Sequence, residues 1–333
     1  MNHGRPDTPK ILAITNENPE WPAIDKQYAD DTWNGLLAAF DEQQIAYRSF
    51  KFFEDLQLLD GYDPREWLVW NGGEEMAGRP WSDAEVVDEL ERRGFAYTGA
   101  DAAVLRFTQN RARLKACLAD AGLPTLPWLV CQRPSDAAGW SAFPAIVKGV
   151  NQHASVGIDR DAVVSTETAL RDRIAYFRDV HDDEALVEPF LDTREFQVGV
   201  WGNDPPEALP PSEIVYTAFD DPRDRLHTQA WKIDRASRGY REITMPCPAP
   251  IDRPEWRAGV EAIGVQAFRA LGLRDFARFD LRMLGDEPQI LDANANPELD
   301  PESVVISGGR ARGLTFGQMA RQIIAFAAVR MPR

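Results

Sequence analysis

Four short stretches of this sequence carry residue types whose spacing suits the handling of a polyphosphate beside a hard cation. The first is a candidate hairpin, "FARFDLRML" (276–284) and "PQILDANAN" (288–296), joined by "GDE" (285–287). Side chains alternate between the two faces of a strand. Arg278 and Asp280 therefore share one face, and so do Asp292 and Asn294. Antiparallel pairing would bring the two sets together. Two carboxylates and an amide oxygen are hard ligands that suit Mg2+ or Mn2+ and leave room for phosphate oxygens. Arg278 on the same face would hold an anion beside the metal. The same residues also suit a solvated strand end running into a turn, since Asn, Asp and Pro are ordinary turn formers.

The second stretch is "FPAIVKGVNQHASVG" (143–157), in which Lys148 interrupts an apolar strand and precedes a loop with Gly149, Ser155 and Gly157. An ammonium at a strand end beside such a loop suits a polyphosphate, although the pattern G-x-x-x-x-G-K-[ST] is absent. An edge-strand lysine placed against aggregation would look similar. The third is "ALVEPFLDTREF" (185–196), with Glu188 between apolar runs and Glu195 after a polar connector. An extended connector offers backbone groups to a base, and a carboxylate can accept from sugar hydroxyls; surface carboxylates would also read this way. The fourth is Lys232 in "HTQAWKIDRAS" (227–237), a polar stretch that fits either a lid closing over phosphates or an ordinary surface loop.

Composition sharpens the lysines. Of 37 basic residues only six are Lys (10, 26, 51, 115, 148 and 232), against 31 Arg. A lysine inside an apolar, Gly-flanked run is thus not background. The net charge of −16 argues against a broad electrostatic grip on nucleic acid or an anionic membrane. The start "MNHGRPDTPK" has no apolar signal core, no run reaches membrane-span length, and three cysteines form no C-x-x-C pair. A reducing cytoplasm without disulfides is the expectation.

These residues need elements to position them. The first hundred alternate strand and helix signals: strands over 10–15, 46–50 and 66–73, helices over 25–45 and 83–94. Such alternation predicts an open α/β sheet with ligands at the carboxyl ends of its strands. A helix over 108–122, a strand over 143–150, a helix over 164–180 and two strands within 184–202 follow. A polar, Pro-rich excursion spans about 203–250, then come an amphipathic helix over 256–273, the hairpin, and a closing helix over 313–329.

The ordered set, "LVWNGGEE…FAYTG", "AGLPTLPW", "FPAIVKGVNQHASVG", "LVEPFLDTREFQVGVWG", "WKIDRASRGYREITMPCPAP" and "ARFDLRMLGDEPQILDANANPEL", resembles the ATP-grasp superfamily and, within it, the D-alanine–D-alanine ligase-like branch. The resemblance covers roughly residues 66–331. It implies a mixed α/β ATP-grasp fold: an N-terminal open α/β domain (1–102), a small central ATP-grasp subdomain (103–189) and a C-terminal subdomain with the metal site (190–331). It implies ATP, Mg2+ or Mn2+ as two ions, small carboxylate and amine substrates, an acylphosphate and a homodimer. Residue by residue, Asp280, Asp292 and Asn294 match metal ligands. Lys148 matches the lysine on the ATP phosphates, Ser155 the hydroxyl of the covering loop and Arg111 another ATP-contacting cation; Glu188 and Leu191 match the adenine hinge, and Leu291 is a further nucleotide-binding position. Glu195 matches the ribose carboxylate, Lys232 the lid lysine and Arg278 the arginine on the acylphosphate. Ser303 matches a residue near the second substrate's carboxylate.

Departures from the pattern matter as much. Asp292 stands where the family has Glu, Arg111 where it has Lys, and His153 and Ala154 where the loop has Gly and Ser. Glu298 replaces a Gly and adds negative charge on the acid-binding side, which fits a substrate with an extra cationic group. "ITNENPEWPAIDKQY" (14–28) lacks the Gly-Gly-x-Ser-x-Glu stretch after the first strand, leaving Glu17 as the available substitute. The expectation is therefore a carboxylate–amine ligase on amino-acid-like substrates other than D-alanine pairs. The alternatives are a D-alanine–D-alanine ligase and a silent nucleotide-binding regulatory module.

Overall fold

The computed structural model describes residues 9–228, 231 and 234–332. β1 (Lys10–Asn16) lies between β2 (Tyr47–Phe52) and β3 (Trp67–Gly72), all parallel, and the helix Ala23–Glu42 makes the first crossover. Ile11, Leu12, Ala13 and Ile14 are all buried, the continuous apolar run required of a parallel strand covered on both faces.

A four-stranded antiparallel sheet follows, ordered β4 (Leu129–Cys131), β7 (Ala185–Pro189), β5 (Ala145–Gly149), β6 (Val163–Val164). The helix Glu167–His181 packs on it and is capped by the Thr166 hydroxyl. Its core of Val147, Leu170, Ile174, Phe177 and Val187 is a separate apolar cluster.

The third sheet runs β10 (Ser212–Ile214), β8 (Glu195–Trp201), β11 (Phe276–Leu284), β12 (Glu287–Asn294), with β9 (Glu207–Ala208) on β8. The helix Pro254–Ala270 covers one face. One apolar cluster joins Leu12 and Ile14 of the first sheet to Phe196, Val198 and Phe279 of the third, so these two share a core.

Several elements differ from the sequence reading. The helix expected over 108–122 runs Arg111–Asp120, starting where the Asn110 side chain accepts from Arg113 N–H as its cap, and a separate short helix, Ala102–Thr108, precedes it. The polar excursion contains β9, β10 and the short helix Arg238–Glu242. "FAYTG" (95–99), given no element by the sequence, adds a single parallel bridge, Val69 to Tyr97. The helix Val304–Ala311 was not expected from "VVISGGRA". Its glycines are there for space: a Cβ on Gly309 would lie 1.8 Å from Met319 Sδ. The hairpin turn closes on Gly285 and Asp286, with Gly285 at φ 63° and Glu287 already paired to Leu284. Cys117, Cys131 and Cys247 are free thiols. Among the described residues no helix is long and apolar enough to cross a membrane.

Candidate active site

A cleft of about 1830 Å³ is lined by residues of all three sheets. Its floor is the hairpin. Arg278 stands opposite Asn294 and Asp280 opposite Asp292 in the antiparallel register, so the two polar pairs expected from alternation are direct cross-strand neighbours. The register slips between Asp280 and Leu281, which leaves Leu291 as the extra residue of a bulge, facing the cleft.

Asp280 is gripped by Arg278 (Nε to Oδ1 2.8 Å, Nη2 to Oδ2 3.2 Å), and Gln197 Nε2 donates to the same Oδ1 at 2.9 Å. Burial pushes the Asp280 carboxyl up; Arg278 opposes this and the neighbouring charge of Asp292 adds to it. At Asp292 burial acts in the same sense, yet Arg111, His153 and Lys148 outweigh it and hold the carboxyl below its ordinary range. Arg111 Nε reaches Asp292 Oδ2 at 3.2 Å.

These residues fit a divalent ion. Two facing carboxylates, one raised by the other's charge, and the Asn294 amide present oxygen donors on one wall. Asn294 Oδ1 already accepts from Asn296 N–H at 3.0 Å and keeps a second lone pair. Among the described residues no trio of Asp, Glu, His or Cys side chains has metal-holding spacing. An ion here would need the amide and oxygens from a phosphate to complete its shell.

Across the cleft, Lys148 on β5 and Glu188 on β7 lie on adjacent strands, Nζ to Oε2 2.9 Å. Lys115 reaches the other oxygen, Oε1, at 2.5 Å and donates to Thr125 Oγ1 at 2.7 Å. Burial alone would raise Glu188, but the two ammoniums outweigh it and keep it ionised below the usual carboxylate range. Lys115, the deeper cation, is pushed down by burial. Leu191 and Phe190 follow on the connector. The Phe190 N–H is used by Pro144 O, whereas among the described residues the Leu191 N–H makes no hydrogen bond.

The loop after β5 is held from both sides. Arg111 Nη1 donates to Gly149 O at 2.7 Å and to Gln152 O, and His153 Nε2 lies 2.8 Å from Gln109 O. Ala154 and Ser155 adopt φ of 49° and 66°, a left-handed path uncommon for residues with a Cβ. Ser155 Oγ donates to His227 O at 2.6 Å, and Arg160 pairs with Asp224 at 2.5 Å and with Asp221. These contacts strap the loop to the 221–228 segment across the mouth of the cleft. Lys232 lies outside the described residues.

At the other end Ser303 precedes the helix Val304–Ala311, and its hydroxyl donates to Asp300 O at 2.9 Å. Glu298 accepts from Tyr28 Oη at 2.9 Å and faces Glu74 and Asp300. Its side chain is open to the water of the cleft yet packed round by protein. Burial, then the charges of Glu74 and Asp300, push its carboxyl up to about 8. Glu17, the substitute considered for the missing N-terminal motif, points elsewhere: it sits 3.7 Å from Lys51 and does not line the cleft.

Four residues escaped sequence reasoning: Lys115, Gln197, Tyr216 and Arg282. Two signals were available. Lys115 is one of only six lysines, and strand alternation extends from Glu195 to Gln197 and from Asp280 to Arg282.

A cleft walled by two antiparallel sheets, with a lysine strand on one side and an acid–amide hairpin on the other, is the architecture of ATP-grasp proteins. A D-alanine–D-alanine ligase from Bacillus anthracis, solved with ATP, superposes with a TM-score of 0.73 over 97% of this chain and 98% of its own, at 17% identity. Residues 117–325 match the family described as D-ala D-ala ligase C-terminus, and the chain belongs to that family. A D-alanine–D-alanine ligase of Desulforudis audaxviator is 30% identical over 257 residues, covering 74% of this chain and 78% of that one. One from Cupriavidus necator is 26% identical over 307 residues, covering 89% and 86%.

Proposed function

We propose that this chain is an ATP- and divalent-metal-dependent carboxylate–amine ligase, acting in the cytoplasm on amino-acid-like substrates other than D-alanine pairs. The observation that carries the reading is the direct pairing of Arg278–Asn294 and Asp280–Asp292 on the wall facing Lys148. An anionic nucleophile must meet an anionic phosphoryl group, so catalysis is mainly the placement of positive charge. A divalent ion held by Asp280, Asp292 and Asn294, Mg2+ by ligand chemistry, would supply charge neutralisation at the phosphates.

The side chains divide the remaining work. Lys148 binds phosphate oxygens, and Glu188 fixes its ammonium. The Leu191 N–H meets the base, Leu291 packs against it, and Glu195 accepts from the sugar. Ser155 and Arg111 hold the loop over the phosphates, Ser303 orients the acceptor, and the family pattern assigns Lys232 to the terminal phosphate. The substrate carboxylate attacks the γ-phosphorus and ADP leaves. Arg278 stabilises the resulting acylphosphate, the amine attacks its carbonyl carbon, phosphate departs, and the amine gives up a proton. The expected product is an amide, detected by mass spectrometry after incubation with ATP, Mg2+ and an amino-acid pool. ADP release with D-alanine alone would instead make the chain a D-alanine–D-alanine ligase. No release with any pair would overturn the ligase reading.

Lys148→Ala is expected to raise the KM for ATP by about tenfold or more, through loss of a charge-assisted phosphate contact. Steady-state kinetics check this, and an unchanged KM would remove Lys148 from the site.

Glu298 supports a substrate with a second cationic group. A carboxyl at about 8 is mostly protonated at neutral pH, and a cation prefers its anion. Affinity for such a substrate is therefore expected to rise as pH climbs through about 8. Glu298→Gln should flatten that rise and Glu298→Gly should change substrate preference, both read by calorimetric titration. Unchanged affinity and selectivity in both variants would sink the assignment.

A further inference from the structure

Glu195 begins β8 and lies directly opposite Arg282 of β11. Three donors converge on one of its oxygens: Arg282 Nε at 2.9 Å, Arg282 Nη2 at 2.6 Å and Tyr216 Oη at 3.0 Å, all to Oε2. Among the described residues Oε1 accepts no hydrogen bond, and Glu195 lines the cleft. Arg282 is only 4% exposed and spends its other donors on backbone: Nη2 on Arg225 O at 2.6 Å and Nη1 on Leu191 O. Its guanidinium also lies against the Phe190 ring, 5.1 Å from the centroid. One buried cation thus joins the connector after β7, the first residue of β8 and the segment that crosses the mouth of the cleft.

The terminal torsion of a glutamate is broad and roughly two-fold, so an unclamped carboxylate presents either oxygen in many orientations. Three donors on Oε2 remove that freedom. They leave Oε1, with its two lone pairs, as the acceptor available to a ligand. We propose that Arg282, aided by Tyr216, is a positioning residue that fixes Glu195 to read the vicinal diol of a nucleotide's ribose. This rests on the nucleotide reading given above. Arg282 touches no reacting atom; it acts through Glu195, converting a mobile carboxylate into a pre-set acceptor. A site built to bond a hydroxyl rejects the analogue lacking it, because its own polar group is then left unpaired.

The test compares affinities for ATP, 2′-deoxy-ATP and 3′-deoxy-ATP, titrated calorimetrically with Mg2+ into the 333-residue chain. The wild type is expected to favour ATP by roughly tenfold or more over each analogue, the order of one good hydrogen bond. Arg282→Met, close in length and apolar, should weaken ATP binding by about tenfold and the analogues much less, so that the preference falls to roughly one- to threefold. Arg282→Lys should restore part of the preference, since it returns a donor without the fork. A purely structural role would lower all three affinities together and leave their ratio untouched, and that result overturns the proposal. Should Arg282→Met fail to fold, Tyr216→Phe carries the test: it removes one donor to Oε2 and should reduce the ratio about threefold, whereas an unchanged ratio counts against the proposal. A wild type that binds all three nucleotides equally also overturns it. A wild type that binds none overturns the nucleotide reading, and the role of Arg282 falls with it.

Discussion

Asp280→Asn is expected to reduce ATP turnover by about a thousandfold in a protein that still folds. The side chain keeps its volume but loses the charge that a divalent ion requires, and the loss of one preorganised electrostatic partner in a closed site has that order of effect. Folding should survive because the change has opposing consequences. Arg278 loses the carboxylate at 2.8 Å, which is unfavourable for a half-buried guanidinium. At the same time Asn no longer faces the negative charge of Asp292, which burial and like charge make costly for Asp280. The new amide can still accept from Gln197 and from Arg278 Nε through its oxygen, so only the Nη2 contact at 3.2 Å is lost. Phosphate release and the urea midpoint together check the prediction. Full turnover in a folded variant would remove Asp280 from the metal site.

The largest expected effect on stability is at Glu188. Its carboxylate sits between Lys115 and Lys148, with only 1% of its side chain and 2% of that of Lys115 accessible to water. Glu188→Ala strands the Lys115 ammonium against Thr125 and the Trp128 ring, and removing one partner of a buried pair costs about 3–5 kcal/mol. Adding Lys115→Met to that variant should recover part of the loss, since replacing a whole buried pair by apolar groups is often close to neutral. Urea unfolding of the wild type, the single variant and the double variant measures both effects. A single variant within 1 kcal/mol of wild type, an order set by an ordinary surface pair, would contradict the buried-pair account. The same geometry fixes a pH sign. Glu188 is held below its ordinary 4.5, so its contribution is present above that value and is lost on acidification toward the lower folded one.

What the sequence disclosed follows from which interactions are local. The faces of Arg278, Asp280, Asp292 and Asn294 were legible because strand alternation is a local rule, and the register places them opposite one another. The bulge at Leu291 was not, since it depends on how two strands settle against each other rather than on either alone. Lys148 and Glu188 were each visible as polar residues in apolar strands, but their pairing needed β5 and β7 to be neighbours. Lys115 sits on a helix where no local rule singles it out beyond the scarcity of lysine; packing under Thr125 and Trp128 buries it. The helix Val304–Ala311 was hidden by its β-branched residues and glycines, which argue locally for other structure. Tertiary crowding against Met319 explains Gly309 and could not be seen from the stretch itself.

The strap across the mouth of the cleft joins a hydroxyl to a carbonyl, Ser155 to His227, with Arg160 and its two aspartates beside it. Arg160, Asp221 and Asp224 keep roughly a third to a half of their side-chain surface in water. Such a fastening is soft toward electrolyte: at about 1 M salt the screening distance shrinks to roughly 3 Å. Brine would therefore loosen the door without touching the deeper Lys115–Glu188 clasp. If the slow step is the departure of product, the catalyst gains speed in concentrated salt; if the slow step is bond-making, it does not.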